Sequence, residues 1–419
     1  MLATAFCLLG EEMNKIELLA PAGDLNKLKT AIDYGADAVY LGGEAFGLRK
    51  ASKNFSMEDI EAGIKYAHDR GKTLHVTLNI IPHNRDINGV EEYVRELYNI
   101  GVDALIVADP GMFMKAKSVA PEMDIHISTQ ASLTNSAAVK FWAAQGAKRA
   151  VLARELSLEE IKDIIREVGD EIEIETFAHG AMCMSYSGRC LMSNYMVGRD
   201  ANLGDCAQPC RYKYHIVEEK RPGEYFPVEE HEEGTFIMNS KDLSMIEHVD
   251  DLIKAGIASL KIEGRVKSDY YLATTIRSYR MAIDAYYEDP LNYKFDPYYL
   301  EEIKKVSHRD FTTGFYYNRD IRDAQIYETN SYIRGYEYSA IVNDYDDKTK
   351  IATFSQRNRI FPGDEVEIFG PGVRHFVQKF GTIYDEEGNE LEVVNQAEQI
   401  FKVKMEQPVK KGYMVRKSK

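Results

Sequence analysis

From residue 15 onward the chain alternates short apolar runs with longer segments in which apolar residues recur every three to four positions. The runs predict strands at 16–20, 38–41, 73–79, 104–108, 125–128, 149–153 and 172–178. The helical periodicity between them predicts helices that include 25–34, 57–69, 90–99, 137–145 and 158–168. Helix ends carry their own signals. Ser56 and Ser157 are each followed three residues on by an acid, Asp24 opens the first helix, and Gly35, Gly71, Gly101, Gly146 and Gly169 follow helix ends where a left-handed residue is wanted. Seven strand–helix repeats in one direction imply parallel pairing with right-handed crossovers.

The repeat is then interrupted. A cysteine-bearing stretch leads to two apolar runs at 212–218 and 235–239, read as a hairpin with a Glu-rich tip, and to a helix at 244–255. SLKIE at 259–263 restores the strand pattern. Taken as the eighth strand, it closes an α/β fold, a (β/α)8 barrel of the TIM type over 15–330, with a cysteine-containing insertion at 180–258 between strands seven and eight. An open doubly wound sheet is the lesser alternative. Helices at 270–286 and 297–306 and a turn-rich segment at 310–317 follow. From about 336 six short strands (338–342, 351–354, 364–368, 377–383, 400–405 and 412–415), separated by turn clusters, predict a small C-terminal all-β barrel domain at 336–419. Residues 1–14 read as a disordered or misassigned leader, since the apolar start has no basic residue before it and Glu11 and Glu12 follow at once.

Composition narrows the classes. With 44% hydrophobic and 28% charged residues the chain reads as a globular protein, and no run approaches the ~20 apolar residues of a membrane span, so a cytoplasmic location is expected. A net charge of −15 argues against a broad nucleic-acid footprint. Any RNA contact would use a local basic patch, such as the tail with Lys402, Lys404, Lys410, Lys411, Arg416, Lys417 and Lys419.

Four of the five cysteines lie between residues 175 and 210. Six residues separate Cys183 from Cys190, fifteen lie before Cys206, and three more before Cys210. Thiolates are soft ligands, so four together select zinc or an iron–sulfur cluster over hard cations. The spacing is neither a repeated C-x-x-C pair nor a common ferredoxin run. An iron–sulfur cluster, of the four-iron type, is the first expectation, zinc the second and a disulfide pair the third. In a barrel, chemistry gathers at the carboxyl ends of the strands. Residues read at those ends are Glu44, Asn79, Asp109, Thr129, Gln130, Arg154, Glu175, His179, Glu263 and Arg265, and the cysteine loop leaves strand seven at that same end. The metal is therefore expected over the barrel mouth. The chain has no H-E-x-x-H helix and no G-x-S-x-G elbow, which weakens a hydrolytic reading.

The run E-x-F-x-H-G-A-M-C-x4-G-x-C-x-M-S from Glu175 to Ser193 resembles the signature of the collagenase-like peptidases, family thirty-two of the unknown-catalytic-type peptidases. LLAPAGD at 18–24, VYLGG at 39–43, HISTQ at 126–130 and KIEGR at 261–265 extend the resemblance over most of 15–330. Members with four cysteines resemble proteins that hydroxylate the wobble uridine of tRNA to 5-hydroxyuridine with prephenate as co-substrate. The resemblance thus implies Cys183, Cys190, Cys206 and Cys210 as cluster ligands, tRNA and a small dicarboxylate as partners, and room for a homologous partner subunit. A dicarboxylate needs cationic clamps, for which Arg154 and Arg265 are the candidates, with Lys261, Gln130 and Asn79 as further substrate contacts. His179, Glu175 and Glu44 are the candidate acid–base groups. A collagenase-like peptidase, and an interaction protein stabilised by a cluster or zinc, are the alternatives.

Overall fold

In the computed structural model, which describes residues 15–46, 54–183, 185–186, 188–211, 215–217, 225–227, 240–317 and 332–419, seven parallel strands follow one another: β1 (Glu17–Pro21), β2 (Ala38–Leu41), β3 (Thr73–Leu78), β4 (Ala104–Val107), β5 (Asp124–Ile127), β6 (Arg149–Val151) and β7 (Glu173–Ala181). The helices between them start where side chains can take up the unpaired amide groups of a first turn. Asp24, Ser56 and Asn135 each accept from the backbone three residues on, and Ser157 and Glu160 form a reciprocal capping box. Asp109, read from sequence as a strand-end residue, caps the helix Pro110–Val119 by accepting from the amide of Met112.

The insertion carries a hairpin, β8 (His215–Val217) with β9 (Tyr225–Pro227), so the first predicted hairpin strand holds β8 and its partner is β9; the predicted strand at 235–239 lies outside the described residues. β10 (Asp242–Ser244) then pairs antiparallel with the overhanging end of β7. The helix expected from 244 therefore begins later, as Val249–Lys254, because Ser244 is in the ladder and the amide of Met245 donates to Ala178 O. β11 (Ser259–Ile262) pairs in parallel with both β1 and β7, which closes the barrel of eight strands. The helix Asp269–Glu288, the helix Tyr298–Lys304 and β12 (Phe311–Thr312), which pairs with β10, complete the domain.

Successive strand residues face opposite sides, and here they divide the barrel chemically. One set, including Leu18, Val39, Leu74, Leu105 and Ile125, packs beneath the helices in the main core. At roughly 1.5–3 kcal/mol for each large apolar side chain taken from water, this layer drives closure. The other set points inward. Leu19, Ala38, Tyr40 and Ile106 form a small apolar cluster there, while His75, His126, Arg149, Glu175 and Lys261 supply buried polar groups.

The C-terminal domain is one antiparallel sheet of eight strands: β13 (Tyr336–Asp346), β14 (Ile351–Gln356), β15 (Glu365–Phe369), β16 (Phe376–Lys379), β17 (Ile383–Tyr384), β18 (Glu390–Leu391), β19 (Ile400–Lys404) and β20 (Met414–Ser418). The sheet curls into a half-barrel whose edges β16 and β18 stay apart, rather than closing as six strands. The predicted strand 377–383 is two strands, and β18 adds a short pair to β17. A buried ionic cluster joins the domains. Arg416 pairs with Glu302 at 2.6 Å and Glu367 at 2.7 Å, Arg277 with Glu302 at 3.0 Å, and Lys305 with Glu367 at 2.8 Å. Arg416 is thus buried in an interface and is not part of an exposed basic tail.

Candidate metal centre over the barrel mouth

After β7 the chain turns across the open end of the barrel, and a few hydrogen bonds fix its course. The amide of Ile81, beyond β3, donates to Asn202 O at 3.0 Å, and Asn202 Nδ2 donates to Cys190 O at 3.2 Å. Asn202 thereby ties the second cysteine to the end of β3. Gly188 lies so close to the end of β5 that a Cβ there would come within 2.3 Å of Gln130 O. Ser193, fully buried in the short helix Met192–Val197, accepts from the amide of Ala207 at 3.0 Å and so fixes that helix to the loop bearing Cys206. The amide of Gln208 donates to Cys206 Sγ at 3.3 Å, which fixes the orientation of that side chain. Cys183, Cys190, Cys206 and Cys210 form no disulfide here.

The strand-end candidates separate into two groups. At the mouth, Asn79 Nδ2 donates to Ser128 Oγ at 3.4 Å and the Gln130 amide to the same oxygen at 3.3 Å, which brings the β3 and β5 candidates together. Arg154 donates to Ala181 O at 2.9 Å with its guanidinium 5.0 Å from the Phe177 ring centre, beside the exit of the cysteine loop. Glu44 is exposed beyond β2.

Glu175 and Lys261 are not at the mouth. Both lie inside the barrel, paired at 2.7 Å, with Arg149 3.2 Å from the same carboxylate and also bonded to Glu173 and Glu17. The register explains this: Glu17, Ser259 and Glu175 lie side by side, two residues into β7. Burial opposes the charge on Glu175, yet Lys261 and Arg149 hold its carboxyl below the ordinary range. His179 is at the strand end, but a bulge between Lys261 and Ile262 turns it outward. It packs against Tyr271, Tyr279 and Phe311, its Nδ1 is 3.5 Å from Tyr279 Oη, and burial pulls its pKa down to about 3. It faces the helix Asp269–Glu288 rather than Cys183.

Arg265 is the best-seated cation of the mouth. Only 5% exposed, it lies against Gly42 so tightly that a Cβ there would be 2.3 Å from Nη2, and a Cβ on Gly23 would be 2.2 Å from Arg265 O. Its Nη2 also reaches Asn54 Oδ1 at 3.3 Å. Three separate sequence motifs, at 18–24, 39–43 and 261–265, therefore meet at one residue, Gly23 against its backbone and Gly42 against its guanidinium. On the other face of the chain, a Cβ on Gly43 would lie 1.9 Å from the hydroxyl of Tyr93 and 3.5 Å from Ile60 in the covering helix layer. That hydroxyl is buried with no hydrogen-bond partner among the described residues.

A family model described as "Peptidase family U32" matches residues 23–325, and one for its C-terminal domain matches 334–416. The chain belongs to peptidase family U32. A relative named tRNA hydroxylation protein P1, from Bacillus subtilis, is 43% identical over 405 residues, covering 97% of this chain and 95% of its own. The tRNA hydroxylation protein P of Escherichia coli is 40% identical, with coverages of 86% and 87%. A family member named collagenase, from Porphyromonas gingivalis, is 30% identical, with coverages of 88% and 89%.

Four sulfurs around one zinc at ~2.3 Å would stand about 3.8 Å apart. Among the described residues, three ligand-type groups lie within 4.8 Å of one another at Glu302, Glu367 and His375, already neutralised by Arg277, Arg416 and Lys305, and not among the cysteines. Four cysteines on one excursion, none of them in a disulfide, make a soft-ligand set that fits zinc or an iron–sulfur cluster.

Proposed function

We propose that this protein hydroxylates the wobble uridine of tRNA to 5-hydroxyuridine, with an iron–sulfur cluster on Cys183, Cys190, Cys206 and Cys210 and prephenate as co-substrate. The observation that carries the reading is the convergence of a four-thiol excursion, tied down by Asn202 and Ser193, on a mouth that holds a buried arginine. Relatives named for tRNA hydroxylation over nearly the whole chain support the substrate class.

Replacing a ring C–H by C–OH removes two electrons and needs an oxygen source. When bound, the cluster supplies an electron-accepting, radical-capable centre, which zinc does not. The chain's own residues bind and orient. Arg265 is held rigid by Gly42 and Asn54, so it can grip a carboxylate in two places without an entropic cost of ordering. Arg154, anchored on Ala181 O, is the second cation of the mouth. Asn79, linked through Ser128 Oγ to the backbone amide of Gln130, offers a side-chain amide whose donor and acceptor match a carbonyl and the N–H of a uracil edge. The peptidase reading needs a base for a cysteine nucleophile. His179, packed among three rings and held neutral, is not placed to provide it.

The test is nucleoside analysis of tRNA from a strain lacking the gene. The modified uridine should vanish, return with the wild-type gene and fail to return with Cys206→Ala. Full modification with Cys206→Ala, or gelatin cleavage by the purified protein that a site substitution abolishes, would overturn the reading.

A further inference from the structure

The excursion that carries the cysteines also exposes a cluster of large side chains. Tyr195 is 88% exposed and Tyr186 56%; Leu191 is 68% exposed, and Met196 and Val197 are about half-exposed. Solvent-facing apolar groups of this size, grouped within a dozen residues, mark a contact surface rather than ordinary exposure. Three observations narrow the occupant.

The surface is rigidly coupled to the thiols. Ser193, in the same short helix as Tyr195, holds the Cys206 loop through Ala207, and the amide of Arg189 donates to Tyr186 O at 3.1 Å in the turn before Cys190. Anything seated on the tyrosines is held beside the metal centre. The local charge is also opposite to that of the chain. From 183 to 211 there are three arginines (Arg189, Arg199, Arg211) and two aspartates (Asp200, Asp205), a net of +1 against −15 overall. Both aspartates are engaged: Asp205 pairs with Arg199 at 2.7 Å and Asp200 accepts from the amide of Asn202 at 2.8 Å. Finally, the two most prominent polar-tipped groups are aromatic. Flat rings beside an arginine are the usual seat for unstacked bases of single-stranded RNA, because every base has a π-face to offer them.

We infer that Tyr195 and Tyr186 form a stacking platform for bases of an unpaired RNA loop, which delivers the neighbouring uridine to the barrel mouth. The inference rests on the tRNA reading above and adds the surface by which the loop is held. These tyrosines are positioning residues, since the chemistry lies at the mouth.

The experiment measures binding of a fluorescently labelled anticodon stem–loop RNA, and of a fully paired duplex of equal length, to anaerobically purified protein. Tyr195→Ser should weaken stem–loop binding roughly 5- to 140-fold, the loss expected for one base–aromatic stack. Tyr195→Phe should restore wild-type affinity, and the duplex should bind weakly to all forms. Iron and sulfide content and melting temperature should not change, because Tyr195 is almost wholly exposed. The same variant should lower tRNA hydroxylation in cells, and Tyr186→Ser should act in the same direction. If wild type hydroxylates tRNA and Tyr195→Ser binds and modifies equally well, the platform is wrong while the proposed function stands. If wild type neither binds the stem–loop nor modifies tRNA, the function itself fails and the platform with it. If Tyr195→Ser leaves RNA binding intact but converts a dimer to a monomer in sedimentation, the patch is a protein interface and the inference is overturned.

Discussion

Replacing Gly42 by alanine isolates the contribution of Arg265 from that of the fold. The substitution is mild for the backbone, since Gly42 is not among the positive-φ glycines. Its new Cβ, however, would lie 2.3 Å from Arg265 Nη2, 2.8 Å from Nη1 and 2.9 Å from Cζ. Ordinary contact begins near 3.4 Å, so the guanidinium must retreat by 3.4 − 2.3 = 1.1 Å. The intruded group is the end of a long side chain, which can move without disturbing the sheet, and the stability cost should stay within about 1–2 kcal/mol. Catalysis is less forgiving. A displacement of about 1 Å in a group that orients a reactant can cost on the order of 10²-fold. Steady-state hydroxylation of tRNA with varied dicarboxylate should therefore show the Gly42→Ala enzyme reduced by about 10- to 100-fold in kcat/KM. Its melting temperature should stay within a few degrees of wild type and its iron content unchanged. Arg265→Lys should resemble it, because an ammonium cannot grip a carboxylate in two places. Full activity in Gly42→Ala would refute the assignment of Arg265 as the clamp. A collapse of melting temperature would show instead that Gly42 serves the fold.

Two further predictions concern the buried groups. Lys261→Met leaves Glu175 charged inside the barrel with Arg149 as its remaining partner, and should cost roughly 3–5 kcal/mol in urea unfolding. Adding Glu175→Gln should recover much of that loss, and an equal loss in the double variant would contradict a coupled pair. His75 and His179 are both pulled down to about 3 by burial, against about 6.5 in an unfolded chain. The unfolded state thus binds more protons between these values, so stability is complete above pH 6.5 and falls as pH drops toward 3. The slope should be about 1.4 kcal/mol per pH unit for each histidine. His179→Phe should reduce it, and unfolding free energies that stay flat from pH 7 to 5 would contradict neutral burial.

The barrel was legible because its information is local and repetitive. Parallel strands covered by helices read as apolar runs between capped amphipathic segments, and SLKIE carries the same signal after a long interruption. What tertiary pairing decides was not legible. Asp242–Ser244 forms a strand because β7 overruns the barrel and offers His179–Ala181 as a partner on one side, with Phe311–Thr312 on the other. The cysteine spacing pointed to one centre over the mouth, whereas the fixing roles of Asn202 and Ser193 depend on which backbone groups fold against them. Glu175 was misplaced for an instructive reason. A charged residue in an apolar strand suggests a strand end, but inward positions of neighbouring strands can also neutralise one another, as Arg149, Glu175 and Lys261 do. Arg416 shows the same in β20, where it is buried against Glu302 and Glu367 within a sequence that reads as a basic tail. The cradle of Gly23 and Gly42 around Arg265 was visible only as three unconnected motifs.

The most direct test of the metal centre is the iron and sulfide content of protein purified without oxygen, read with its visible absorption. Wild type should be brown, with a broad band near ~400 nm and iron and sulfide in comparable amounts, as a thiolate-ligated cluster requires. Single alanine variants of Cys183, Cys190, Cys206 and Cys210 should be pale. A colourless wild-type protein holding one zinc per chain would contradict the account.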